Sequence, residues 1–103
     1  MTFRSRRLLD LAHDAPCFAR FPHGCTAHLG CEPAHSDSQL FGRGIGHKSS
    51  DWAFASMCHV AHRMISARVN PTLGREEKFM EWLRAFVATQ EWLWSQGKIR
   101  VSA

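Results

Sequence analysis

The feature that most constrains this chain is its load of metal-binding side chains, set in a stretch poor in regular structure. Four cysteines and seven histidines occur in 103 residues. Three of the cysteines, Cys17, Cys25 and Cys31, fall within segment 16–49, which also holds Pro16, Pro22, Gly24, Gly30, Pro33, Gly42, Gly44 and Gly46. That composition predicts loops, turns and at most one short hairpin. A loop-rich stretch of this length needs support from outside its own backbone. A bound metal is the natural source, because binding energy becomes folding energy when the unfolded chain has no site.

Cys17 and Cys25 flank the turn Phe18-Ala19-Arg20-Phe21-Pro22-His23-Gly24, and Cys58 lies downstream near a predicted helix start. Two ligands on a loop and one or two on a helix suit zinc, which takes four nitrogen or sulfur donors at tetrahedral corners. The fourth ligand is open at this point. Cys31 is one choice, and His62 is another, being four residues beyond Cys58 on a shared helix face. His59 and His28 stand behind them. The plainer alternative is a set of buried free thiols packing as small apolar groups.

The rest of the chain frames that reading. A length of 103 residues is expected to give one domain, 1–103, with a modest core. Basic and apolar residues alternate over 3–13 as in a short helix, ended by Asp14-Ala15-Pro16. The run Leu8, Leu9, Leu11 is interrupted by Asp10, which argues against a secretory signal, and no apolar run is long enough for a bilayer. A reducing compartment follows as an expectation, and there cysteines meet metals more often than each other. The net charge of +4 favours a polyanionic partner.

Ser49-Ser50-Asp51 is good N-cap material for a helix running to Arg68. Equally, a short strand over Trp52–Met57 precedes a helix at Cys58. Asn70-Pro71 breaks the chain. The clearest helix is 73–96, where Phe79, Trp82, Leu83, Phe86, Leu93 and Trp94 share a face and Glu76, Glu77, Lys78, Glu81 and Arg84 take the other. Gly97 is its stop, and Lys98-Ile99-Arg100-Val101 alternates as a short strand would. The apolar stripe is a core face. Because three tryptophans on one helix exceed what a small core absorbs, it is alternatively a homodimer surface. The expected class is α+β, with a loop-rich N-terminal half, a structural zinc and a long C-terminal amphipathic helix.

One ordered set of residues carries a family resemblance. The series Pro16-Cys17, Arg20, Pro22, Cys25, Ala34-His35-Ser36, Gly42, Gly44, Gly46, Lys48, Asp51, Cys58 and His62 resembles the YbcO-like nucleases of phages and prophages. Thr89, Trp92-Leu93 and Gly97-Lys98-Ile99 resemble the end of the same family, so the likeness runs from about residue 4 to residue 101. It implies a small ββα-metal core of the HNH type. By position it implies that His35 acts as general base on a water. It also implies that His62, on the helix, holds a divalent cation such as Mg²⁺ that stabilises developing phosphate charge. Arg43, His47, Lys48 and Arg20 become candidate nucleic-acid contacts, with the glycines around Arg43 allowing close backbone approach.

Two positions depart from the pattern. The family's helix reads Cys-x-x-Cys-His, whereas this chain reads Cys58-His59-Val60-Ala61-His62. Cys31 would then complete a four-cysteine site, or His59 would substitute. The aspartate expected four residues after the helix histidine is Ser66. The expected function is a metal-dependent DNA endonuclease, phage or prophage encoded and working in the cytoplasm of a bacterial host. The alternative is an inactive, zinc-stabilised module that binds DNA or inhibits a host protein.

Overall fold

The computed structural model describes residues 3–35, 50–66 and 73–101. In chain order it has helix α1 (Arg6–Asp10), two short 3-10 turns (Leu11–Asp14 and Ala27–Leu29), strands β1 (Cys31–His35) and β2 (Phe54–Cys58), and helices α2 (His59–Ser66) and α3 (Arg75–Ser95). The class is α+β, as expected, with the longest helix at the C-terminal end. None of the helices among the described residues is long and apolar enough to cross a membrane.

Strand β2 is the centre of the packing. Its sequence, Phe54-Ala55-Ser56-Met57-Cys58, is buried at every position, so it needs cover on both faces. It pairs antiparallel with β1, with Cys31 opposite Cys58, Pro33 opposite Ser56 and His35 opposite Phe54. Pro33 has no amide to donate, which a central ladder position would not tolerate. The register accommodates it: the Ser56 amide turns away from β1 and donates to Thr89 Oγ1 on α3 at 2.8 Å. Segment 16–18 covers the same outer edge. The Phe18 amide donates to the Ser56 carbonyl at 3.0 Å, and the Ser56 hydroxyl donates to the Pro16 carbonyl at 2.8 Å. A strand edge that would otherwise invite pairing is thereby closed.

Helix α3 follows the periodicity read from its sequence. The Gly74 amide donates to Glu77 Oε1 at 3.3 Å, and Glu76 and Glu77 place negative charge in the first turn, where the helix dipole favours it. At the other end Gly97 takes φ +67°, and Lys98 donates back to the Leu93 carbonyl. Trp82, Ala85, Thr89 and Leu93 are buried. The Trp82 indole donates to the Ala34 carbonyl at 2.7 Å and stacks on Phe86 at 5.0 Å. Trp94 departs from the expected core face, being half exposed.

Three further expectations change. Helix 3–13 is shorter, α1 being followed by a 3-10 turn. Ser50 and Asp51 do not cap a helix: they are buried and hold the N-terminal segment. Ser50 Oγ accepts from the Phe3 amide at 3.1 Å, and Asp51 takes the Ser5 amide at 2.5 Å and the Arg4 guanidinium at 3.1 Å. The strand-then-helix alternative for 52–66 is the one that forms, with the strand starting two residues later, at Phe54, and the helix one later, at His59. Residues 98–101 are not a strand, since the helix stop folds Lys98 back onto Leu93.

Candidate metal centre

Cys17, His23, Cys25 and Cys58 bring one donor atom each to within 4.8 Å of one another. Three structural pieces deliver them. The loop after Pro16 carries Cys17, the turn through Gly24 carries His23 and Cys25, and the end of β2 carries Cys58. Gly24 sits at φ +62°, a conformation that favours glycine, and this reversal turns the chain between His23 and Cys25. His23 Nδ1 lies 2.6 Å from the Phe21 carbonyl. A carbonyl can only accept, so Nδ1 carries the proton and Nε2 keeps its lone pair. That lone pair faces Cys17 Sγ at 3.7 Å. Ligand histidines are commonly oriented by such a bond from the other ring nitrogen.

The donor set fits a tetrahedral zinc ion. Zinc–sulfur and zinc–nitrogen bonds of about 2.3 and 2.0 Å place neighbouring donors about 3.5–3.8 Å apart, which matches the Cys17–His23 separation. Three thiols and one imidazole could therefore hold a metal ion such as zinc.

Amide donors also surround the sulfurs. The Cys58 amide donates to Cys17 Sγ at 3.3 Å, and the Ala61 amide reaches Cys58 Sγ at 3.5 Å. Burial pushes the Cys17 thiol up to about 12, helped by the neighbouring Cys58 and Cys25 sulfurs and opposed by the backbone of Cys58 and Ala19. For Cys58 burial also acts upward, but hydrogen bonds from Thr26, Ala61 and Cys17 outweigh it and bring the thiol down to about 6. The sulfurs of Cys58 and Cys25 act upward on Cys17, so close sulfurs resist carrying charge together. A divalent cation removes that resistance, since thiolates bind it in place of their protons.

The fourth donor is a correction. Among the described residues the donor that joins the three cysteines is His23, where the sequence offered Cys31 or His62. Cys31 is buried across the ladder from Cys58, with burial raising its thiol, and it is outside the four-donor group. His62 is also outside this group, and the shared-face argument for it took Cys58 to be helical. Cys58 instead ends β2 and the helix starts at His59, so four residues of separation no longer place the two on one face. His28 is exposed in the 3-10 turn.

His59 and His62 meet Glu32 of β1 instead. His62 Nδ1 is 2.7 Å and His59 Nδ1 3.1 Å from Glu32 Oε1. Burial alone would raise the Glu32 carboxyl, yet the two histidine contacts prevail and lower it below its usual 4.5. Residue His35 ends β1, three positions from Glu32, or about 10 Å along a strand.

Of the candidate nucleic-acid contacts, Arg20 is exposed on the loop between Cys17 and His23. Arg43, His47 and Lys48 lie outside the described residues. Two further basic residues near the N-terminus face carboxylates: Arg4 meets Asp51, and Arg6 pairs with Asp10 at 3.2 Å on the α1 surface.

The chain matches no protein-family model, no curated protein and no solved structure among those compared with it. Fold and site together define a class: a small α+β protein in which a Cys₃His cluster ties the N-terminal loops to a two-stranded sheet.

Proposed function

We propose that this chain is a zinc-stabilised HNH-type nuclease module acting on DNA. The observation that carries the reading is the order hairpin then helix: β1 and β2 pair antiparallel, α2 follows β2 without a gap, His35 ends the first strand and His62 stands on the helix. That order matches what the YbcO-like resemblance implies for a ββα-metal core. The Cys₃His cluster plays the structural part, tying Cys17 and Cys25 to the β2–α2 junction.

In this reading His35 removes a proton from the attacking water. His62 would hold a divalent cation, which supplies charge stabilisation at the phosphate and the leaving oxygen. Glu32 accepts from His62 Nδ1 and leaves Nε2 as the free donor atom, the orientation a ligand histidine needs. Glu32 is thus a positioning residue for His62. It offers a carboxylate beside the helix histidine, where the resemblance leads one to expect an aspartate and Ser66 stands instead.

A second reading, an inactive DNA-binding module, is favoured by that same Ser66. Incubation of the zinc-loaded chain with plasmid and Mg²⁺ or Mn²⁺ separates the two. Cleavage that disappears in His35→Ala supports the enzyme. Cleavage unchanged in His35→Ala removes the assigned base. Salt-dependent DNA binding without cleavage under either cation points to the module.

A further inference from the structure

We infer that the chain forms a two-fold dimer in which α3 packs antiparallel against α3 of a second copy. This stands apart from the nuclease reading and uses none of its residues except Arg20. One face of α3, from Met80 to Ser95, lines a groove of about 730 Å³ walled on one side by Phe18 and Arg20. The face repeats at helical spacing over more than four turns, about 22 Å at 1.5 Å per residue. Met80 and Val87 on it are 52% and 54% exposed, and Trp94 continues the stripe at 51%. Large apolar side chains in a continuous line on a surface mark a contact.

The occupant follows from the arrangement of charge. A two-fold axis between Val87 and Ala88 lays the groove-lining face onto itself in reverse. Leu83 then meets Trp92 of the second copy, an apolar pair, and Met80 meets Ser95. At the axis Val87 meets Ala88, large against small, which lets the helices approach closely. Arg84 meets Glu91 of the second copy, and symmetry makes this ion pair twice. Arg84 is half exposed and already beside Glu81 at 2.9 Å, so it would enter the interface with a carboxylate on each side. A parallel pairing would set Arg84 against Arg84 and Glu91 against Glu91, which is repulsive. The face is therefore self-complementary in one orientation. A nucleic acid fits it poorly, because Glu91 would meet phosphate.

Sedimentation equilibrium on the zinc-loaded full chain tests this across protein concentration. The expected result is a rise from 11.7 kDa to twice that mass. Arg84→Glu alone and Glu91→Arg alone each turn two attractive pairs repulsive, and each should weaken the dimer by about tenfold or more. The double variant, Arg84→Glu with Glu91→Arg, should dimerise more tightly than either single variant, short of wild type because the carboxylate placed at position 84 lies beside Glu81. Circular dichroism and zinc content, unchanged in all four proteins, show that the fold is intact. A wild-type chain that remains at 11.7 kDa up to about 1 mM would overturn the inference. So would a dimer that both single reversals leave intact, or a double variant no tighter than the single ones.

Discussion

Replacing Thr89 by valine isolates the strength of the link between α3 and the sheet. Thr89 is fully buried, and its hydroxyl makes two bonds. It accepts from the Ser56 amide at 2.8 Å and donates to the Ala85 carbonyl at 2.8 Å. Valine keeps the shape and removes both. The Ala85 carbonyl loses little, since a helical carbonyl at that position also receives the amide four residues on. The Ser56 amide loses everything: it faces away from β1 and is sealed from water by α3. An unsatisfied buried donor costs about 1–3 kcal/mol, so Thr89→Val should destabilise the chain by about 2 kcal/mol. At roughly 4–8 °C per kcal/mol for a chain of this size, the melting temperature falls by about 8–16 °C. Thr89→Ser is the control, because it keeps the hydroxyl and gives up one methyl, about 1 kcal/mol. Urea unfolding of the zinc-loaded proteins, with slopes compared, measures both. Hydrogen exchange at the Ser56 amide should accelerate in the valine variant only. A valine variant within about 0.5 kcal/mol of wild type, or less perturbed than the serine variant, would refute this account of the β2 edge.

Chelation should abolish cooperative unfolding: structural zinc contributes about 10–16 kcal/mol in zinc-finger peptides, as much as the whole stability of a small domain, about 5–15 kcal/mol. Circular dichroism with and without chelator reads this, and metal analysis should find one zinc per chain. His23→Cys should retain zinc, whereas His23→Ala should lose it at lower chelator concentration. Glu32 has its carboxyl lowered in the folded state, so its stabilising contribution is complete above 4.5 and fades as pH falls below that value; Glu32→Gln should flatten the acid limb of a stability–pH curve. Gly30→Ala should cost about 1–3 kcal/mol, because Gly30 sits at φ +97°. A new Cβ would also lie 2.4 Å from the His13 ring, but that ring is exposed and can swing aside, so adding His13→Ala should not rescue the variant.

Different parts of this molecule were legible in the sequence to different degrees. Helix α3 was readable because its apolar spacing, its acidic first turn and Gly97 all agree. The three cysteines were readable from chemistry, as few other roles bring thiols together in a loop-rich stretch. His23 was not read as a ligand, because its role depends on Gly24 reversing the chain and on the Phe21 carbonyl holding Nδ1. The spacing Cys17, His23, Cys25 held the signal: a histidine two residues before a cysteine in a glycine turn can reach the same ion. Ser50 and Asp51 were misread as caps because their partners, Phe3, Arg4 and Ser5, are 46 or 47 residues away. Local pattern carries no information about such distant contacts. Trp94 was placed in the core on spacing alone, which cannot tell a face buried by the sheet from one exposed beside it.

The imidazole at the fourth corner also governs charge. Four thiolates around a divalent ion leave two negative units; three thiolates and a neutral imidazole leave one. Counted from neutral thiols in a chain of formal charge +4, metal loading then alters the total by at most one unit. Long-range attraction toward a polyanion scales with that total and its distribution, so it is nearly the same with and without the ion. In the proposed nuclease reading, a loss of nucleic-acid affinity on chelation would therefore measure the collapse of a surface rather than a change in its field.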